Sequence, residues 1–325
     1  MILSLLYNNM EFSLKVLILI VFVILANFIY NDYLKSEKKD IFKKNNELID
    51  RYLISNIHSD APLKKMNKAK GKPLLWIFID NEKNSRNWDS FYSRSNNKLN
   101  KPYQIICMKS IVDKCNQSFD ICLIDKSAFS ILIPPALQCK VKCPIAYKTI
   151  SLYKILYIYG GILVPSSFLC IKDLFPIYES SKKNAITCFE VYNSNISYHF
   201  VSCEKECELI NKFIEYQEYI SSDDKHSSNT FGIYLGNWLN EHYKLGNINL
   251  VDGKKIGIKN KNDEEIHIDS LLGINAIDYD SGLLGIYIDA ENISKYTKYQ
   301  WFDRMSTDQI LDSNLAISQY ILASY

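Results

Sequence analysis

The 325-residue chain predicts an α/β fold, a sheet whose strands are joined by crossover helices. Three observations carry that expectation. Leu74 to Asp80 (LLWIFID) is a continuous apolar run closed by an acid, as a buried strand requires. Apolar residues at helical spacing follow Pro102 and Pro144, and a proline is tolerated in a first helical turn because its missing N–H has no partner there anyway. Gly160-Gly161 then closes the second of these helices directly before another apolar run, Ile162 to Val164.

Taken from the N-terminus, Phe12 to Tyr30 (FSLKVLILIVFVILANFIY) is apolar on every face and holds no charge after Lys15. About 19 residues at 1.5 Å rise reach roughly 28 Å, so residues 1–30 are expected to be a membrane anchor with the lipid bilayer as partner. A cleaved signal peptide is the alternative. Lys35, Lys38, Lys39, Lys43, Lys44 and Arg51 follow the span, and the positive-inside rule then expects a single-pass protein with its C-terminal part in the cytoplasm. Residues 31–72 read as a basic stem, with eleven basic against six acidic residues. Residues 73–325 follow as one domain without internal repeats.

Within that domain, Asp120 to Asp125 is a second short strand between the helices beginning at Pro102 and Pro144. Ala185 to Val191, Tyr198 to Cys203 and Leu284 to Asp289 read as further strands. Cys207 to Ile220, Ser228 to Tyr243 and most of Gln300 to Ala323 read as helices. Hydrophobic residues at 47% exclude general disorder, and a net charge of +2 argues against a nucleic-acid partner, which needs a basic footprint. Nine scattered cysteines, without a neighbouring histidine at metal-ligand spacing, read as free thiols. No phosphate loop, dinucleotide fingerprint or nucleophile elbow occurs.

Ligands of open α/β sheets sit beyond the carboxyl ends of strands. That places Asp80 and Asn81, Asp125, and Pro165-Ser166-Ser167 at a candidate site. Only four arginines occur, and two of them, Arg86 and Arg94, follow the first strand with Trp88 between them. Arginine recognises phosphate in bidentate fashion, and an indole stacks on a base or sugar, so these three join the candidates. An ordinary surface loop with two structural arginines is the competing reading.

Tyr153 to Leu174 reads YKILYIYGGILVPSSFLCIKDL. Leu156-Tyr157-Ile158-Tyr159-Gly160-Gly161-Ile162 and, more loosely, Ile171-Lys172-Asp173-Leu174 resemble the core of the DXD-type sugar transferases of GT-A fold, the initiating α-1,6-mannosyltransferase and capsular-polysaccharide-synthesis relatives. The chain is also similar to transferase-like membrane proteins of large DNA viruses. The resemblance implies a GT-A-like (Rossmann-like) single domain with Gly160 and Gly161 in its donor-binding core. It further implies a nucleotide-sugar donor, a glycan or protein acceptor, and Mn2+ or Mg2+ as the metal that clamps the donor diphosphate between two aspartates. Pro165 and Ser167 stand where those aspartates would, and Thr149 and Leu152 stand near the helix positions that are charged in the family. The expected function is therefore a membrane-anchored glycosyltransferase-like protein with a degenerate Asp-x-Asp, the alternative being a catalytically inactive GT-A-like binding or structural module on a membrane.

Overall fold

A computed structural model describes residues 19, 21–30, 47–56, 71–80, 101–181, 186–222 and 228–324. The chain divides into two units, Met1–Arg51 and Tyr52–Tyr325. In the first, Leu19, residues 21–30 and residues 47–51 are helical.

The membrane anchor is corrected here. Among the described residues no helix is long and apolar enough to cross a membrane. The rest of Phe12 to Tyr30 lies outside the described residues. The bilayer partner, the single-pass localisation with a cytoplasmic domain, and a transferase or inert module held on a membrane all rested on that span and are corrected with it.

The second unit is an α/β domain. Its main sheet has six strands in the order β2-β1-β3-β6-β5-β7. These are β1 (Leu74–Phe78), β2 (Asp120–Ile124), β3 (Gly161–Val164), β5 (Ile186–Val191), β6 (Asn195–Cys203) and β7 (Ile248–Val251). β1 pairs in parallel with β2 and β3, β6 runs antiparallel to β3 and β5, and β7 is parallel to β5. A separate antiparallel pair joins β4 (Phe168–Cys170) to β8 (Gly285–Tyr287). Leu53 bridges in parallel to Leu123 and Ile54 N donates to the Leu123 carbonyl at 3.0 Å, which extends the β2 edge.

Among the described residues, two hydrophobic clusters are seen. Trp76, Cys122, Ile124 and Leu163 belong to one cluster with Tyr153, Phe213 and Trp238. Those three come from α3 (Pro144–Tyr159), α5 (Glu208–Ser222) and α6 (Ser228–Lys244). The second cluster gathers Tyr103, Ile106 and Cys107 of α1 (Pro102–Cys115) with Leu169, Ile286 and C-terminal residues such as Phe302 and Ile317. The short helix α2 (Ala128–Leu132) begins where Asp125 Oδ1 accepts from Ala128 N at 3.0 Å, and α4 (Phe175–Ser181) follows β4. The nine cysteines are free thiols.

The C-terminal stretch Gln300 to Ala323 is mostly helical, as expected, but interrupted. After α7 (Ile268–Leu271), β8 and α8 (Ala290–Lys295), it breaks into α9 (Gln300–Asp303), α10 (Thr307–Leu311) and α11 (Ala316–Ser324). The cause is local. Ser306 Oγ accepts from Gln309 N at 3.2 Å while Gln309 Oε1 accepts from Ser306 N at 2.8 Å, a capping box that starts a new helix.

Candidate functional site

β1 and β3 lie side by side in parallel, so the residues after Phe78 and Val164 leave the sheet at the same edge. A cavity of about 660 Å³ opens there, with Asp80 and Pro165-Ser166-Ser167 in its wall. α1 contributes Gln104 from its first turn and Lys101 from just before it, and α3 contributes Lys148. β6 contributes His199, two residues before Val201, which pairs with Leu163. Because β6 runs antiparallel to β3, that position lies at the Pro165 end of the sheet. Glu291 and Lys295 of α8, Asp303 of α9 and the following Arg304 complete the enclosure.

Four cationic side chains, Lys101, Lys148, Lys295 and Arg304, thus face three carboxylates, Asp80, Glu291 and Asp303. Lys148 Nζ stands 5.6 Å from the Phe78 ring, and Arg304 Nη2 donates to Gln300 Oε1 at 3.3 Å. Lys101 is only 5% exposed. Its ammonium donates to Ser294 Oγ at 3.2 Å and stands 3.5 Å from Asp303 Oδ2. Burial pushes the Asp303 carboxyl above its usual range, against the pull of Lys101. Ser166 Oγ donates to Gln104 Oε1 at 3.4 Å, and Gln104 Nε2 donates to the Tyr103 hydroxyl at 3.1 Å.

His199 is held at its ring by Tyr198, 4.0 Å away between centroids, and its Nε2 lies 3.8 Å from Glu291 Oε1. Burial lowers its pKa to about 4, Glu291 opposes the shift, and Lys148 adds to it. The imidazole is therefore neutral at physiological pH. Nε2 has no hydrogen-bond partner among the described residues, and the same is true of Asp303 Oδ1.

Of the residues expected from the sequence, the structure brings Asp80, Pro165, Ser166 and Ser167 together in this cavity. Asn81, Arg86, Trp88 and Arg94 lie outside the described residues. Gly160 and Gly161 lie at the opposite end of β3, where Gly161 starts the strand and the Gly160 carbonyl accepts from Trp76 Nε1 at 2.9 Å. Asp125 accepts hydrogen bonds from Ser55, Ser127 and Ala128 instead of lining the cavity. Lys101, Lys148, His199, Glu291, Asp303 and Arg304 were not singled out as site residues. Their only sequence signal is charge, and it is spread over segments as far apart as Lys101 and Ser294, 193 positions.

The divalent cation that the resemblance implies does not fit these residues. A hard cation needs several oxygen ligands, with carboxylates among them. Pro165 offers no side-chain oxygen, and Ser167 offers a neutral hydroxyl that is 3% exposed. Among the described residues no group of three or more His, Cys, Asp or Glu could hold a metal. An Asp-x-Asp does occur at Asp278-Tyr279-Asp280, but there Asp278 pairs with Lys261, and Asp280 Oδ1 accepts from Gly282 N at 2.7 Å.

No known protein family matches the chain, and no curated protein matches it. Among solved structures, PaToxG Glycosyltransferase matches at 13% identity and a TM-score of 0.31, over 64% of this chain and 83% of that one. The likeness is at most that of a distant GT-A-like arrangement. An overlap that loose carries no weight for substrate or activity.

Proposed function

We propose that the cavity binds a phosphate-bearing small molecule of the nucleotide-sugar class, and that cationic side chains, with no divalent metal, neutralise its phosphates. The observation that carries this reading is the placement of Lys148, Lys295 and Arg304 around a 660 Å³ cavity at the carboxyl ends of two adjacent parallel strands. That volume suits a small ligand, and the strand ends are where such ligands collect in open α/β sheets. The three cations offer charge-assisted hydrogen bonds to phosphate oxygens, about twice as strong as neutral ones. Ser166 and Ser167 also line the cavity. The nucleotide-sugar class itself comes from the Tyr153 to Leu174 resemblance. Arg86, Arg94 and Trp88 remain candidates for the phosphates and the base on their side-chain chemistry alone.

Titration calorimetry of the full chain with uridine and guanosine diphosphates and their sugars tests the reading. Lys148→Ala and Lys295→Ala are each expected to weaken diphosphate binding about tenfold, as loss of one charged hydrogen bond does. EDTA is expected to leave the wild-type affinity unchanged. Absence of binding, or affinity untouched by both substitutions, overturns the site. Binding that requires manganese overturns its metal independence.

A further inference from the structure

α8 and the residue after it form part of two hollows. Glu291, Ser294 and Lys295 line the larger cavity, whereas Asn292 and Tyr296 line a second one of about 470 Å³. The phosphate reading makes no use of it. Its other walls are the turn at Tyr192 and Asn193 between β5 and β6, the beginning of α7, and Lys298-Tyr299 before α9. Four rings meet there. His267 lies nearly parallel to Tyr192, with 5.7 Å between centroids and 24° between planes, and Tyr296 stands at 90° to Tyr299 at 6.3 Å. Lys295 Nζ stands 5.5 Å from the Tyr296 centroid, but a ring has two faces, and Tyr296 is still 46% exposed. A ring kept wet in the wall of a hollow offers a ligand an apolar surface.

The walls are held in place by their own hydrogen bonds. The Tyr192 hydroxyl donates to the Ile266 carbonyl at 3.1 Å, the Asn193 N–H donates to Glu265 Oε1, and the Tyr299 hydroxyl donates to Asp269 Oδ2 at 2.7 Å. Lys298 Nζ donates to Asp269 Oδ1 at 3.2 Å and to Oδ2 at 3.1 Å. The bond from Tyr299, and then that from Lys298, hold the Asp269 carboxyl below its usual range, so it is an anion at neutral pH. Both Asp269 and Lys298 are largely exposed. A carboxylate has about four lone-pair sites and an ammonium three N–H groups, so the pair meets solvent with capacity to accept and to donate.

That combination selects a class of ligand. An anion finds Lys298 already neutralised by Asp269. A quaternary ammonium needs a ring face and a carboxylate, and Lys298 takes both, its Nζ lying 4.4 Å from the Tyr299 centroid. A wholly apolar ligand strips water from a charged pair and returns nothing for it. An uncharged sugar ring suits all of these groups, because its C–H bonds lie against an aromatic ring while its hydroxyls donate and accept. We propose that the second hollow binds an uncharged sugar residue, packed against the exposed ring of Tyr296 and hydrogen-bonded by the Asp269–Lys298 pair. This site stands apart from the proposed phosphate site, and failure of either leaves the other untouched.

Saturation-transfer NMR of the full chain with the methyl glycosides of glucose, galactose, mannose and N-acetylglucosamine tests the proposal. At least one of them is expected to bind. Tyr296→Ala is expected to weaken that binding about tenfold, and Tyr296→Phe to keep it within about twofold, because the ring and not its hydroxyl makes the contact. Asp269→Asn, in a different wall, is expected to weaken it about tenfold as well, through loss of charge-assisted acceptance. The two substitutions lie on separate elements, so a folding defect in one leaves the other to decide. Absence of binding by every glycoside overturns the site, and so does affinity that survives Tyr296→Ala or Asp269→Asn. Tetramethylammonium binding more tightly than all four glycosides overturns the sugar as the ligand. A glycoside displaced competitively by uridine diphosphate lies in the larger cavity, and that result overturns the site too.

Discussion

Gly161 has φ +107°, and a β-carbon there would collide with the carbonyl oxygen of Leu74 at the start of β1. Gly160 beside it has φ +66°, and a β-carbon there would stand 2.6 Å from the backbone nitrogen of Lys205. Both positions thus combine a left-handed backbone with a close approach of another chain segment, which only glycine tolerates. Gly161→Ala is expected to cost about 3 kcal/mol of folding stability, read from urea unfolding, because neither the backbone angle nor the neighbouring strand can yield cheaply. A loss under about 0.5 kcal/mol would mean that the turn is not held this tightly. Gly160-Gly161 was legible from the sequence as a helix stop before a strand. That the pair lies away from the cavity was not, because a glycine pair reads the same whether it admits a ligand or a neighbouring strand.

At the scale of elements, β5 is tied to the segment that follows β7 by Glu190. This carboxylate is 8% exposed, pairs with Lys259, and accepts from Gly253 N at 3.0 Å through its other oxygen. Burial alone would raise its pKa, but Lys259 and the Gly253 N–H outweigh it and the net shift is downward. A carboxylate held lower in the folded state than in the unfolded one stabilises above its unfolded pKa, and that contribution is lost as pH falls through the folded one. Glu190→Gln is accordingly expected to destabilise the domain by about 2 kcal/mol at pH 7, with the gap from wild type closing as pH drops below about 4. A gap that stays constant with pH, followed by thermal melting, would show that the charge is irrelevant. Elements themselves were largely readable: the strands from Leu74 and Asp120 and the helices from Pro102 and Pro144 stand where apolar period and proline place them. The C-terminal helices were not separated, although Ser306-Thr307-Asp308-Gln309 is a capping-box sequence. That break matters, because it ends α9 at Asp303 and leaves Asp303 and Arg304 at the cavity.

On the scale of the whole molecule, Tyr52–Tyr325 forms a unit by its own contacts, with both hydrophobic clusters inside it. Residues 52–325 expressed alone are expected to unfold in one cooperative transition and to bind the same ligands as the full chain within about twofold. Two transitions, or a loss of binding, would place part of the domain or of its site within residues 1–51. The sequence by itself determined the alternation of strands and helices, the two-sided burial of β1, and the end of the sheet at which the cavity opens. Those are properties of hydrophobic period and of backbone geometry, and both are written locally. The tertiary structure decided the mixed strand order, the side of the sheet turn on which Gly160 and Gly161 act, and the charged set around the cavity. Hydropathy had suggested a membrane span at Phe12 to Tyr30, but among the described residues no helix is long and apolar enough to cross a membrane. Lys101 and Asp303 meet only because α1 and α9 pack through Tyr103 and Phe302. A charge carries no address along the chain, and its partner is chosen by the packing of apolar neighbours rather than by its own spacing.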